Sequence, residues 1–279
     1  MRRFQWQPAR EIEASMRQII AGLLWGLGVA AAHDLYLLPD RFHLAAGETV
    51  TVGVHNGDAF PSSESTPPMA RLKDFTLHSA SGKMTIADLR PDGKRAVASA
   101  KVPSPGYHIV TLRASENATD MEPGEFLDYL KEEGLAQVIA WRTTNGVADK
   151  KAKERYSKYA RSLLLAGTPD GGFSRVTGLP IEILPEKDPA SVKAGGALPV
   201  RVLFRGAPAR DLQVIAVTTG VPGSKPLAVG RTDAAGRIAV PISAAGQWRL
   251  HTIQMERCAE PSVADWESFW ASLTFEILQ

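Results

Sequence analysis

Cysteine is almost absent: the 279-residue chain holds one, Cys258. A lone thiol excludes an internal disulfide framework and the Cys-x-x-Cys pairs of zinc ribbons and redox motifs. An excess of charge is missing too. The formal net charge is +2, and the first 32 residues supply it, with Arg2, Arg3, Arg10 and Arg17 against Glu11 and Glu13. The remainder is neutral, so nothing electrostatic points to nucleic acid or an anionic membrane as partner. No uncharged apolar run reaches the ~20 residues that cross a bilayer as a helix. Enzyme signatures are lacking as well: there is no Gly-x-Ser-x-Gly elbow and no His-Glu-x-x-His. Gly171-Gly172 lacks the strand–helix context of a phosphate loop. The chain reads as a non-enzyme. With 44% apolar and 22% charged residues it has the balance of a globular protein.

What is present begins with the leader. Residues 1–17 are polar and carry the four arginines, and residues 18–32, "QIIAGLLWGLGVAAA", are apolar and uncharged. Ala30 and Ala32 occupy the small-residue positions of an Ala-x-Ala cleavage site. The pattern predicts a signal peptide over 1–32, a periplasmic or secreted product, and no membrane span once the leader is removed. Cleavage after Ala32 makes His33 the first residue.

The body reads as mainly β. "ETVTVGVH" (Glu48–His55) alternates, with Val50, Val52 and Val54 on one face, as a half-buried strand does. Similar runs recur at roughly ten-residue spacing with Gly/Pro/Asp turns between them, which predicts sandwiches. Between the β parts, "EPGEFLDYLKEEG" has the spacing and glycine stop of a helix. "KKAKERYSKYARSLLLAG" sets Tyr156, Tyr159, Ala160, Leu163 and Leu164 at helical spacing, with its basic residues largely to solvent. Trp266, Phe269 and Trp270 are also at helical spacing, as packing residues. The expected organisation is an N-terminal β-sandwich over 33–119, a helical insertion over 120–170 and a C-terminal β-sandwich over 171–279.

Five stretches carry a family resemblance: "AHDLYLLPDRFHLAAGETVTV", "YSKYARSLL", "GLPIEILPEKDP", "RTDAAGRIAVPI" and "DWESFWASLTFE". With these the body resembles the exported bacterial family called domain of unknown function 4198, and its C-terminal part is similar to transthyretin-like modules found beside carboxypeptidases. The resemblance implies two immunoglobulin/transthyretin-like β-sandwich domains with a helical insertion between them. It also implies a link to nickel or cobalt uptake, with a membrane metal-transport component as partner. It assigns no metal ligands residue by residue.

Six histidines remain as chemistry: His33, His43, His55, His78, His108 and His251. A mature N-terminal His33 offers two nitrogens. An α-amine titrates near ~7.7–8.0 and an imidazole near ~6.5, so both are available to a metal at neutral pH. Amine and imidazole nitrogens suit copper, nickel and zinc; with the nickel or cobalt that the resemblance implies, the expected ion is a divalent transition metal, nickel, cobalt or copper. The amino-terminal copper/nickel motif with histidine at mature position three is excluded, because that position is Leu35. His55, at the polar end of its strand before "NGD", and His251, in step with Arg249 and Ile253, are the candidate partners, with Asp34 as a carboxylate ligand. His108 alternates with Val110 and Leu112 and reads as a core histidine. Met255 and Cys258 read as packing. Two functions follow from these residues: an exported metal-binding accessory protein using His33, Asp34, His55 and His251, or a non-catalytic adaptor without a metal.

Overall fold

Strand chemistry sets the layering in the computed structural model, which describes residues 33–278; the signal-peptide reading of 1–32 lies outside the described residues. β1 (Leu35–Pro39), β2 (His43–Leu44), β3 (Thr49–Asn56), β4 (Leu72–Ser79) and β5 (Gly82–Thr85) come first. β6 (Arg90–Asp92), β7 (Arg95–Lys101) and the long β8 (Gly106–Met121) follow. Two helices, α1 (Pro123–Glu132) and α2 (Ala136–Thr144), lead into β9 (Ala152–Ala166). Next are β10 (Ile181–Pro185), β11 (Ala197–Phe204), β12 (Ala207–Pro208) and β13 (Gln213–Thr218). β14 (Leu227–Arg231), β15 (Arg237–Pro241), β16 (Gly246–Arg257) and β17 (Trp266–Ile277) complete the body.

The strands form three sheets. The largest runs β14-β13-β16-β17-β9-β8-β4-β5, with β2 also paired to β9. It draws strands from both halves of the sequence. Their junction is a parallel ladder between β17 and β9, from Trp266↔Glu154 to Thr274↔Ser162. The smaller sheets are β1-β3-β7-β6 and a group of β10, β11, β12 and β15.

Residue parity shows where the small sheets sit. Successive strand side chains point to opposite faces. Ile109, Tyr159, Leu163 and Leu165 share a core with Ile183, Val200 and Val202 of the β10-β11 sheet. Val110, Leu112, Ala160, Leu164 and Ala166 share another with Leu37, Val50, Val52 and Val54 of the β1-β3 sheet. The two small sheets therefore cover opposite faces of the large one at β8 and β9. Each fully buried valine or leucine in these cores contributes about 1.5–3 kcal/mol.

The segment expected to be a second helix, within 150–167, is strand β9. It is buried on both faces from Tyr156 onward. A doubly covered strand has no polar alternation to display, so its apolar residues fall at helical spacing by coincidence. Tyr159 and Leu163 enter one core while Ala160 and Leu164 enter the other. Two of its basic residues are not on a solvent face: Lys158 is 7% exposed and Arg161 1%. Arg161 Nη1 donates to Glu182 Oε2 at 2.6 Å inside the core. Trp266, Phe269 and Trp270 likewise lie on a strand, β17, with Phe269 in the core on the face opposite Trp270.

The helical part is real but spans only 123–144. A capping box between Glu122 and Glu125, with Pro123 in the first turn, starts α1. Gly134, at φ +67°, follows its end. Phe126, Tyr129 and Leu130 form its buried face. Tyr129 stacks on Trp270 at 5.8 Å, and Trp141 meets Trp266 edge-on at 5.3 Å. The hairpin therefore covers the large sheet on the face that also carries β1. There, Ser272 and Thr274 hydroxyls of β17 donate to the carbonyls of Leu35 and Leu37, each at 2.7 Å. A seam is left between β1 and the hairpin, floored by β16, β17 and β9.

A carboxylate and histidine cluster at the first residue of the body

Arg249 and His251 stand two apart on β16, so both point into this seam. Asp34 meets them from the other side. Arg249 Nη2 lies 3.0 Å from Asp34 Oδ2. His251 donates from Nδ1 to Asp34 Oδ1 at 2.8 Å and from Nε2 to Glu133 Oε2 at 3.0 Å. Glu133 follows the last turn of α1, so the contact ties the hairpin to the seam. Burial alone would depress the His251 pKa, but Asp34 and Glu133 outweigh it and push it up to about 10. Burial alone would raise Asp34, but His251 and then Arg249 hold it far below the usual carboxylate range.

His251 therefore stands as an imidazolium with both nitrogens donating. It has no lone pair for a metal. Asp34 is likewise committed to two cations. These two expected ligands are brought next to His33, but as its support.

His55 goes elsewhere. It is opposite Tyr36 in the β1–β3 ladder and stacks on that ring at 5.0 Å. It is 5% exposed, and neither ring nitrogen has a hydrogen-bond partner. Burial, with Arg95 adding, lowers its pKa to about 4, so it is neutral. It belongs to no cluster of ligating side chains among the described residues. His108 is a core histidine as expected, with Nδ1 3.2 Å from the Gly106 carbonyl.

The partners of His33 come from the loop after β3. His33 Nδ1 is 3.2 Å from Asp58 Oδ2 and 3.7 Å from Glu64 Oε2. Among the described residues these three are the one group of His, Cys, Asp or Glu whose ligand atoms all lie within 4.8 Å of one another. Neither acid was singled out from the sequence. The available signal was the "NGD" turn and the polar, proline-bearing loop from Asn56 to Pro68, and long loops are where sites are built.

The loop is wound around its own carboxylate. Glu64 Oε2 accepts the Asp58 backbone N–H at 2.5 Å and that of Ala59 at 3.4 Å, and these contacts, with His33 nearby, hold Glu64 below its ordinary pKa. Gly57, at φ +155°, permits it: a Cβ there would sit 2.7 Å from Glu64 Oε2. Across the mouth, burial and the charges of Glu133 and Asp58 raise Glu132. Asp58, Glu64 and Glu132 thus lie exposed on one rim, with the cations Arg249, His251 and Lys158 buried behind them.

The backbone of His33 and Asp34 is also gripped. The Asp34 N–H donates to Asp58 Oδ1 at 3.1 Å. The Gly57 N–H donates to the Asp34 carbonyl at 2.9 Å. Lys158 Nζ donates to the His33 carbonyl, with its ammonium 4.7 Å over the Trp270 ring. Burial lowers the Lys158 pKa to about 8 against the pull of Asp34 and Glu154.

A histidine nitrogen and two carboxylate oxygens are a borderline donor set, suited to nickel, cobalt, zinc or copper. Metal–ligand bonds of ~2.0–2.2 Å separate neighbouring ligand atoms by roughly 3–4 Å, which is the spacing of His33 Nδ1 from both carboxylates.

The molecule is thus a mainly β protein in three layered sheets, with a helical hairpin beside a histidine–carboxylate cluster at its first described residue. The chain belongs to the family described as "Domain of unknown function (DUF4198)", whose model matches residues 30–256. No curated protein matches the chain. Among solved structures it is similar to the D0-D1 domain of intimin, at 12% identity over 86% of this chain and 96% of that one, TM-score 0.22. It is also similar to the Escherichia coli adhesin FdeC, at 14% identity over 89% of this chain and 66% of that one, TM-score 0.23. A third is the Yersinia pseudotuberculosis adhesin InvE, at 12% identity over 86% and 58%, TM-score 0.22. Superpositions this loose carry no argument; the layering rests on strand pairing and residue parity.

Proposed function

We propose that the protein is an exported metal-binding accessory protein and that cleavage after Ala32 turns His33 into a two-nitrogen ligand. The α-amine and Nδ1 of one histidine close a six-membered ring on a metal ion. The observation that carries the reading is which nitrogen faces the acids. Nδ1, the one able to chelate with the amine, lies 3.2 Å from Asp58 Oδ2 and 3.7 Å from Glu64 Oε2. The donor set is then two nitrogens and two carboxylate oxygens, which accommodates divalent nickel, cobalt or copper. The ion is cargo or signal for a membrane transport component, and no step of catalysis is required.

The full chain, expressed with its leader, is recovered from the exported fraction and weighed intact. The expected mass begins at His33. Calorimetry with Co(II) and Ni(II) should give a Kd below ~10⁻⁵ M, about −7 kcal/mol. Gly-Ser-Gly-Ser inserted between Ala32 and His33 should abolish it, because it moves the amine out of chelating reach and keeps His33 away from positions two and three of the mature chain. A mature protein that starts at His33 and binds neither ion refutes the reading, as does binding that survives the insertion.

A further inference from the structure

We infer that Arg249 is the positioning residue of this cluster: one buried guanidinium sets the distance between its two arms. This rests on the metal reading above. The arms come from separate places in the chain, the His33-Asp34 dipeptide before β1 and the Asp58 loop after β3. Arg249 comes from β16, near the other end of the sequence. Its Nη2 pairs with Asp34 Oδ2 at 3.0 Å. Its Nη1 donates to the Gly57 carbonyl at 3.1 Å, and Nη2 also reaches the Asp58 carbonyl at 3.4 Å. The fork thus spans both arms at once, in the planar geometry that lysine cannot reproduce.

The guanidinium is itself fixed. Arg249 is 1% exposed. Its carbon lies 5.0 Å over the Tyr36 ring and 5.8 Å from the Phe60 ring, so an aromatic from each arm packs on it. His251, two residues on, holds the second oxygen of Asp34 and keeps that carboxylate turned to the fork. None of these groups touches His33 Nδ1, Asp58 Oδ2 or Glu64 Oε2. Arg249 therefore acts on the ion only through the ligands it spaces.

A positioning role and a purely structural one differ in what a substitution does to the site while the fold persists. The test uses the exported full chain bearing Arg249→Lys, loaded with Co(II) alone and followed by its visible absorption. Altered support around ligands typically costs ~10–100-fold in metal affinity. The expected result is a Kd raised ~10–100-fold with a changed band position or intensity, while far-UV circular dichroism matches wild type. Arg249→Lys with the wild-type Kd and spectrum overturns the inference and leaves the metal reading intact. Should Arg249→Lys not fold, Asp34→Asn decides on the same readouts: it removes the carboxylate charge the fork holds and keeps the side chain's shape. Wild-type Kd and spectrum in that variant overturn the inference equally. Failure of the wild-type chain beginning at His33 to bind Co(II) refutes the metal reading itself.

Discussion

The buried imidazolium His251 gives the sharpest stability prediction. Replacing it by phenylalanine keeps a ring against Trp270, now 5.4 Å away, and removes both donors. Asp34 retains Arg249, but Glu133 is left facing an apolar ring. Breaking a buried pair by removing one partner costs ~3–5 kcal/mol. The rise of the His251 pKa from 6.5 to about 10 gives a similar figure, roughly 4–5 kcal/mol at ~1.4 kcal/mol per pH unit. For a body of this length that corresponds to a melting point lower by ~6–20 °C. The sign with pH follows from the raised pKa. Stability contributed by His251 is complete below its unfolded value of 6.5 and is lost as pH climbs to about 10. Thermal melts followed by circular dichroism from about pH 6 to about pH 10.5 should therefore show the gap between wild type and His251→Phe closing. A variant that melts within ~2 °C of wild type at about pH 6, or a gap that persists undiminished at about pH 10.5, refutes the reasoning.

Two further predictions concern the rest of the core. Glu182→Gln should cost ~3–5 kcal/mol in urea unfolding, because it strands Arg161, whose partner carboxylate is 2% exposed; a loss under ~1 kcal/mol would show the pair to be dispensable. Cys258 is buried at 5% exposure, so its alkylation should be slow in native buffer and fast in denaturant; equal rates in both would contradict its placement.

How legible each feature was depended on whether its cause is local. Val50, Val52 and Val54 announce β3 because one face is covered and the other is less so. "TDAAGR" announces the β14–β15 turn because Asp233 itself accepts the N–H groups of Ala235 and Arg237. β9 was illegible as a strand because both its faces are covered by sheets assembled elsewhere. His33 stood out through the apolar stretch and the Ala-x-Ala spacing that precede it in the sequence. Asp58 and Glu64 did not, since a loop has no periodicity to betray which acid turns inward. His251 was marked by its place beside Arg249, but its role depends on Asp34 and Glu133, which no pattern in "WRLHTIQM" could supply.

The β9–β17 ladder has a consequence for the order in which the chain can fold. A ribosome delivers β1, β8 and β9 long before β17, yet β9 lacks one neighbour until β17 arrives. The Leu35 and Leu37 carbonyls of β1 wait for hydroxyls 237 residues downstream. Closure therefore pays a long-range loop entropy before any of these bonds forms, a topology that folds slowly. The central sheet stays open until β17 is in place, and the His33 cluster, which needs Arg249 and His251 of β16 beneath it, is among the last parts to take shape.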